Sequence, residues 1–167
     1  MILTIWRHGE AAQASDDCLR ELTPTGIKNI EHGAHRLSEI CARKMLPLPE
    51  RLWHSRWQRT TQTAQLIKDQ FTNISSCPEN ALIPGRTPAQ LEPVLERIWY
   101  SPLRPEHLVL VSHQPLVSAL ADFLCGQRGV VPFMPPGGFA TLSVDAPAAV
   151  GAGLLFWSFP PAYEAGV

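Results

Sequence analysis

The 167-residue sequence predicts a single α/β domain over residues 1–167, built in three layers: a mostly parallel central sheet with helices on both faces. Three observations predict it. Short apolar runs alternate with longer segments of helical periodicity. The first run, Ile2-Leu3-Thr4-Ile5-Trp6, is apolar almost throughout, the pattern of a strand covered on both faces. Unusual polar residues follow directly on such runs, at the strand ends where open α/β sheets bind ligands.

Taken in order, residues 2–6 form the first strand and lead straight into Arg7-His8-Gly9-Glu10 with no turn chemistry between. Thr23 and Pro24 then supply an N-cap and a first helical residue. Ile27, Ile30, Ala34, Leu37 and Cys41 follow at helical spacing and give that helix one buried face. His32 and His35 fall off this stripe and read as two solvated histidines. Residues 51–55 form a short second strand. Behind it, a helix starting near Trp57 turns Thr60, Ala64, Ile67 and Phe71 inward. Trp53 is a core residue, while Trp57 is a candidate docking surface for a protein partner.

Thr87-Pro88 repeats the cap-plus-proline start and opens a third helix toward Tyr100, which Pro93 would kink or delay. Leu108-Val109-Leu110-Val111 is the clearest strand of the chain. Gln114-Pro115 starts a helix carrying Leu116, Leu120 and Leu124, and Gly126 stops it. Residues 138–144 and 154–157 read as two late strands joined by an Ala/Gly/Pro-rich connection. His54 and His107 are structural or exposed.

Bulk properties narrow the function. Hydrophobic residues make up 45% and charged residues 17%, which excludes a disordered chain. With 14 Lys+Arg against 15 Asp+Glu, the formal charge of -1 argues against a nucleic-acid binder. No apolar run reaches membrane-spanning length, and Met1 leads into the first strand without a basic leader, so a cytoplasmic protein is expected. Cys18, Cys41, Cys77 and Cys125 lack CxxC spacing and are expected reduced and mostly buried.

Three segments therefore deliver cationic or imidazole groups to one rim: Arg7-His8, Ser55 to Arg59, and Ser112-His113. Two arginines offer planar donors to phosphate oxygens. Arg59 falls in the first turn of its helix, where backbone N–H groups also favour an anion. Gly9 leaves room beside His8 for phosphate to approach. A neutral imidazole at His8 can attack phosphorus and carry it covalently, while His113 stabilises charge on the equatorial oxygens. No metal or other cofactor is needed where such cations neutralise the phosphate.

Arg7-His8-Gly9-Glu10 resembles the signature of the histidine phosphatase superfamily, also described as phosphoglycerate-mutase-like. Other pieces fall in family order. Residues 20–26, Arg-Glu-Leu-Thr-Pro-Thr-Gly, resemble the family's LTxxG segment, residues 55–64 resemble SPxxRAxQTA, and Val111-Ser112-His113 resembles the segment of the second histidine. The likeness runs from residue 1 to about residue 124, with a weaker echo at residues 135–138. It implies a phosphoglycerate-mutase-like fold, His8 as phosphorylated nucleophile, and Arg7, Arg59 and His113 as phosphate-binding groups.

Within the superfamily the short chain resembles the SixA-type phosphohistidine phosphatases. Larger relatives insert a lid between the arginine segment and the second histidine, whereas here only about one helix fits. Arg56 and Thr60 depart from the family's Pro and Ala. Gly85 stands where many relatives place a Glu that protonates the leaving oxygen, and no acid occurs between Glu79 and Glu92. An imidazole leaving from phosphohistidine demands such an acid far less than an alkoxide does. The resemblance thus implies a metal-independent phosphohistidine phosphatase working through a phospho-His8 intermediate. Its expected partner is a histidine-containing phosphotransfer domain or a phosphocarrier protein. The competing expectations are a small-molecule phosphomonoesterase of the same superfamily and a non-catalytic phosphate-binding module.

Overall fold

Strand β1 (Ile2–Arg7) lies inside a seven-stranded sheet in the computed structural model, which describes residues 1–166. Its parallel neighbour β4 (His107–Ser112) is buried along its whole length, and Arg7 stands opposite Ser112. Beyond β4 come β2 (Arg51–His54) and then β3 (Ser75–Pro78), both parallel to their neighbours. On the other side of β1 lie β5 (Phe139–Val144), β6 (Ala152–Ser158) and β7 (Ala165–Gly166), each antiparallel to the strand before it. The order is β3-β2-β4-β1-β5-β6-β7.

The expected mostly parallel sheet is therefore corrected to a mixed one, parallel in one half and antiparallel in the other. A parallel connection needs a crossover of about a dozen residues or more, usually a helix. Residues 145–151 between β5 and β6 are too few. After the helix that follows β4 (residues 116–125), residues 126–138 return the chain to the C-terminal end of β1, where Gly138 O accepts the Arg7 N–H, so β5 runs the opposite way. The strand–helix alternation of the first three quarters of the chain does not extend to its end. Two strands also went unseen: β3 is an exposed Ser-Ser-Cys-Pro edge, and β7 has two residues.

Helices cover both faces, as expected. The side chains of β4 alternate: Val109 and Val111 pack with Trp6 and Leu52 against α1 (Pro24–Lys44) and α2 (Gln58–Gln70). Leu108 and Leu110 pack on the opposite face against α3 (Pro88–Trp99) and α4 (Leu116–Cys125). Thr23 Oγ1 accepts the Gly26 N–H at 2.9 Å and starts α1, and Gly126 ends α4 at φ 66°. Pro93 sits inside α3, which continues to Trp99. Ile27, expected on the buried face of α1, is exposed, and of the four free cysteines only Cys41 is buried. Among the described residues no helix is long and apolar enough to cross a membrane.

His107, fully buried, ends a polar chain at the base of the sheet. One ring nitrogen pairs with Pro47 O at 2.8 Å and the other with Thr4 Oγ1 at 2.8 Å, which in turn bonds Thr141 Oγ1 at 2.9 Å. At the opposite end, Tyr163 is buried and its hydroxyl donates to Gly137 O at 3.0 Å. Gly33 of α1 admits that ring, since a Cβ there would lie 2.6 Å from Tyr163 Cε1.

Gly33→Ala is accordingly expected to destabilise the protein, although alanine is favoured over glycine in a helix by about 1 kcal/mol. Overpacking a rigid ring costs roughly 1–3 kcal/mol, so a lower melting temperature is expected, and an unchanged or higher one would contradict this packing.

Candidate active site

The ends of β1 and β4 set the site. Because Arg7 pairs with Ser112 in register, the next residues, His8 and His113, emerge side by side with ring centroids 5.0 Å apart. His8 N–H donates to Ser112 O at 3.0 Å and extends the ladder by one step. The turn after β2 brings the start of α2 to the same rim, and Arg59, its second residue, reaches His8. The four residues His8, Arg7, Arg59 and His113 thus line one cleft of about 380 Å³.

Hydrogen bonding fixes the tautomer of His8. Nδ1 lies 2.7 Å from Gly9 O and must carry the proton, leaving a lone pair on Nε2. That lone pair accepts the Nε–H of Arg59 at 3.2 Å. Burial, then the nearby guanidinium charges, push the His8 pKa down to about 4. His113 is 3% exposed and neither ring nitrogen makes a hydrogen bond within the protein. Burial first, then His8 and Arg59, lower its pKa to about 3. Arg7 Nε is likewise unpaired, while its Nη1 donates to Met134 O at 2.8 Å. Buried polar groups are rarely left without partners. Three such atoms around one cationic cleft mark a place for an anion.

Gly9 serves a different purpose from the one expected. It does not face the cleft: a Cβ there would meet Ile30 Cγ1 at 3.0 Å and Leu22 Cδ2 at 3.1 Å. Its N–H donates to Thr63 Oγ1 at 3.1 Å. Glycine here lets the chain pass tightly over α1 without displacing these side chains. Thr60, in place of the family's Ala, donates to Ser55 O at 2.8 Å or Trp57 O at 2.7 Å and secures the turn into α2. Arg56 donates to Asn80 Oδ1 outside the cleft.

Gly85 adopts φ +83° with open space around its Cβ position, and Pro84 borders the cleft. The carboxylates at the cleft are Glu10, which accepts from Thr23 Oγ1 at 2.8 Å, and Asp17, which is held by arginines. His32 and His35 are exposed on α1, and among the described residues no group of three or more His, Cys, Asp or Glu is gathered as for a metal ion.

Sequence reading missed Asp17, Arg20 and Gln114 as cleft residues. Arg20 was part of a matched segment, but nothing in the pattern of residues 11–19 signals that the loop folds back over Arg59. Trp57 is not a free surface ring. Its ring centroid lies 4.7 Å from the Arg59 guanidinium carbon and 5.3 Å from the His113 ring centroid, so the half-buried ring packs against both.

No family model and no curated protein matches the chain. Solved structures do. The protein histidine phosphatase SixA complexed with tungstate is 23% identical, with a TM-score of 0.78 over 96% of this chain and 97% of that one. Mycobacterial glucosyl-3-phosphoglycerate phosphatase is similar in its complex with VO3, at 18% identity and a TM-score of 0.69 over 95% and 99% of the two chains. Its complex with inorganic phosphate gives 15%, 0.68, and 92% and 94%. The fold is that of the phosphoglycerate-mutase-like histidine phosphatases.

Buried neutral histidines set a pH dependence of stability. In the folded protein His8, His107 and His113 titrate at about 4, 4 and 3, against an ordinary 6.5. Below pH 6.5 the unfolded chain therefore takes up protons that the native state refuses, and stability falls as the pH drops toward 4. A lower melting temperature at pH 5 than at pH 7.5 is expected, with a smaller difference in His113→Gln. A flat profile for the wild type would refute the assignment.

Proposed function

We propose that the chain is a phosphohistidine phosphatase, hydrolysing phosphate from a histidine of a signalling or phosphotransfer protein through phospho-His8. The observation that carries this reading is the His8 imidazole, with Nδ1–H tied to Gly9 O and the Nε2 lone pair turned toward Arg59 and His113. Tungstate, vanadate and phosphate in the similar structures are oxyanions of the shape such a cradle suits.

In this mechanism a phosphoryl oxygen takes the Nε–H of Arg59 from His8 Nε2 and so frees the lone pair. Nε2 attacks phosphorus in line, an N–P bond forms, and the bond from phosphorus to the substrate's imidazole breaks. That imidazole leaves neutral when its other nitrogen carries a proton. Water then attacks the phospho-His8 phosphorus, returning the electron pair to Nε2 and releasing phosphate. Arg7, Arg59 and His113 stabilise the equatorial oxygens. An arriving dianion adds negative charge that works against the burial and the cationic neighbours keeping His113 neutral, so it gains a proton and donates a charge-assisted hydrogen bond.

The cleft's carboxylates favour an N–P bond over a phosphoester. Glu10 and Asp17 are ionic or hydrogen-bond partners of other residues, and the contacts with Arg20 and Arg59 hold the Asp17 carboxyl below the usual range. Neither is poised as a general acid for an alkoxide. Phe133 is exposed with its ring 5.5 Å from the guanidinium carbon of Arg7, and Leu19, also exposed, lies in sequence between the cleft residues Asp17 and Arg20. These apolar flanks suit a protein surface such as a histidine-containing phosphotransfer domain or a phosphocarrier. Free cysteines accord with a reducing, cytoplasmic setting.

Purified protein should release inorganic phosphate from a phosphohistidine-bearing protein and show acid-labile label on His8. His8→Ala should lower turnover by at least about 10³-fold, and Arg59→Ala should lower kcat/KM by roughly 10²–10³-fold. Equal turnover by wild type and His8→Ala refutes the reading. Faster release from small phosphoesters than from phosphohistidine overturns the substrate class.

A further inference from the structure

Arg59 meets the His8 side of the cleft through Nε alone. Three of its four outer N–H groups face Asp17: Nη1 donates to Asp17 O at 2.6 Å and toward Oδ1 at 3.5 Å, and Nη2 donates to Asp17 Oδ2 at 3.3 Å. A bidentate grip on a phosphoryl group through the Nη1–Nη2 end requires the N–H groups that Asp17 holds, and one through Nε uses the remaining N–H of Nη2. The resting protein thus fills with its own carboxylate part of the guanidinium edge that the substrate needs.

The same carboxylate has a second cation within reach. Arg20 Nη1 donates to Asp17 Oδ1 at 3.1 Å, closer than either contact from Arg59 to that carboxylate. Arg20 is itself anchored, with Nε donating to Ala12 O at 2.7 Å and Nη2 to Ala11 O at 3.1 Å. It is a fixed landing point. Asp17 sits on a single 3-10 turn and is 56% exposed, whereas the Arg59 side chain is 6% exposed. The mobile partner is therefore the carboxylate.

We propose that Asp17 is an internal competitor for the phosphoryl site, holding the outer N–H groups of Arg59 until a phosphoryl oxygen takes them and passing to Arg20 when it does. This rests on the phosphatase reading and assigns a role in ligand exchange within the same cleft. Arg59 keeps its orientation throughout, because the short bond from Nη1 to the Asp17 backbone carbonyl does not involve the carboxylate. An exposed ion pair is weak and yields readily, whereas a charge-assisted bond from a buried guanidinium to a dianion is strong. The exchange also holds the cleft nearer to neutrality in the resting state, when Arg7 and the buried Arg59 flank two imidazoles.

A purely structural Asp17 and a competing Asp17 predict opposite signs. Inorganic phosphate binding is measured by calorimetry on wild type, Asp17→Asn, Arg20→Gln and the double variant. Asp17→Asn retains the backbone contact and removes the competing charge, so phosphate should bind about 3- to 10-fold more tightly. Arg20→Gln should bind several-fold more weakly, and this loss should shrink in the Asp17→Asn background because no carboxylate then needs a landing point. Weaker or equal binding by folded Asp17→Asn overturns the competitor role. An Arg20→Gln loss of the same size in both backgrounds overturns the transfer to Arg20. Absence of phosphate binding in all four proteins defeats this inference and the phosphatase reading together. Normal binding shifts without any turnover of phosphohistidine leave the competitor role standing and defeat only the enzymatic reading.

Discussion

The parallel register of β1 on β4 is the constraint on which the site depends. With Arg7 opposite Ser112, two histidines from distant parts of the chain leave adjacent strands together and meet across one cleft. Side-chain direction in a strand alternates, so slipping the pairing by one residue would turn one ring toward the wrong layer. The core enforces the register from both faces: Val109 and Val111 must meet the α1–α2 layer while Leu108 and Leu110 meet the other. Packing and chemistry are thus fixed by the same ladder.

Crowding of positive charge is the second organising fact. Two arginines with little exposure and two imidazoles share a desolvated pocket, and the rings respond by remaining neutral. For His8 that neutrality is what leaves an electron pair available. In the proposed mechanism His113 takes up a proton only when a bound dianion adds negative charge beside it. The carboxylate of Asp17 and the backbone carbonyls of Gly9, Asp17 and Met134 soften the remaining repulsion. A site of this kind is defined as much by where protons are absent as by which residues are present.

Much of this was legible in the sequence because local patterns encode it. The apolar runs of β1 and β4, the Thr-Pro starts of α1 and α3, and Gly126 at the end of α4 all follow from backbone preference and periodicity. Arg7, His8, Arg59 and His113 do come together, since each lies at a strand end or helix start whose position the layer architecture dictates. The antiparallel half was not legible, because residues 126–138, which carry no periodic signal, decide at which end of the sheet β5 begins. The purpose of Gly9 also escaped, since its tight neighbours Leu22 and Ile30 are contributed by another element. Asp17 and Arg20 lay hidden for the same reason: a loop's side chains are placed by tertiary contacts that leave no periodic trace.

One thread runs from the end of the chain to its reactive centre. Tyr163, wedged against Gly33, clasps Gly137, and the Gly137 amide in turn holds the His8 carbonyl at 2.9 Å. Every motif the sequence offers lies upstream of β5, yet Tyr163, which pins Gly137, lies downstream of it. A fragment ending at Gly138 would possess Arg7, His8, Arg59 and His113 and lack the hydroxyl that secures the brace. Tyr163 thus belongs to the support of His8 as much as the neighbouring strand does.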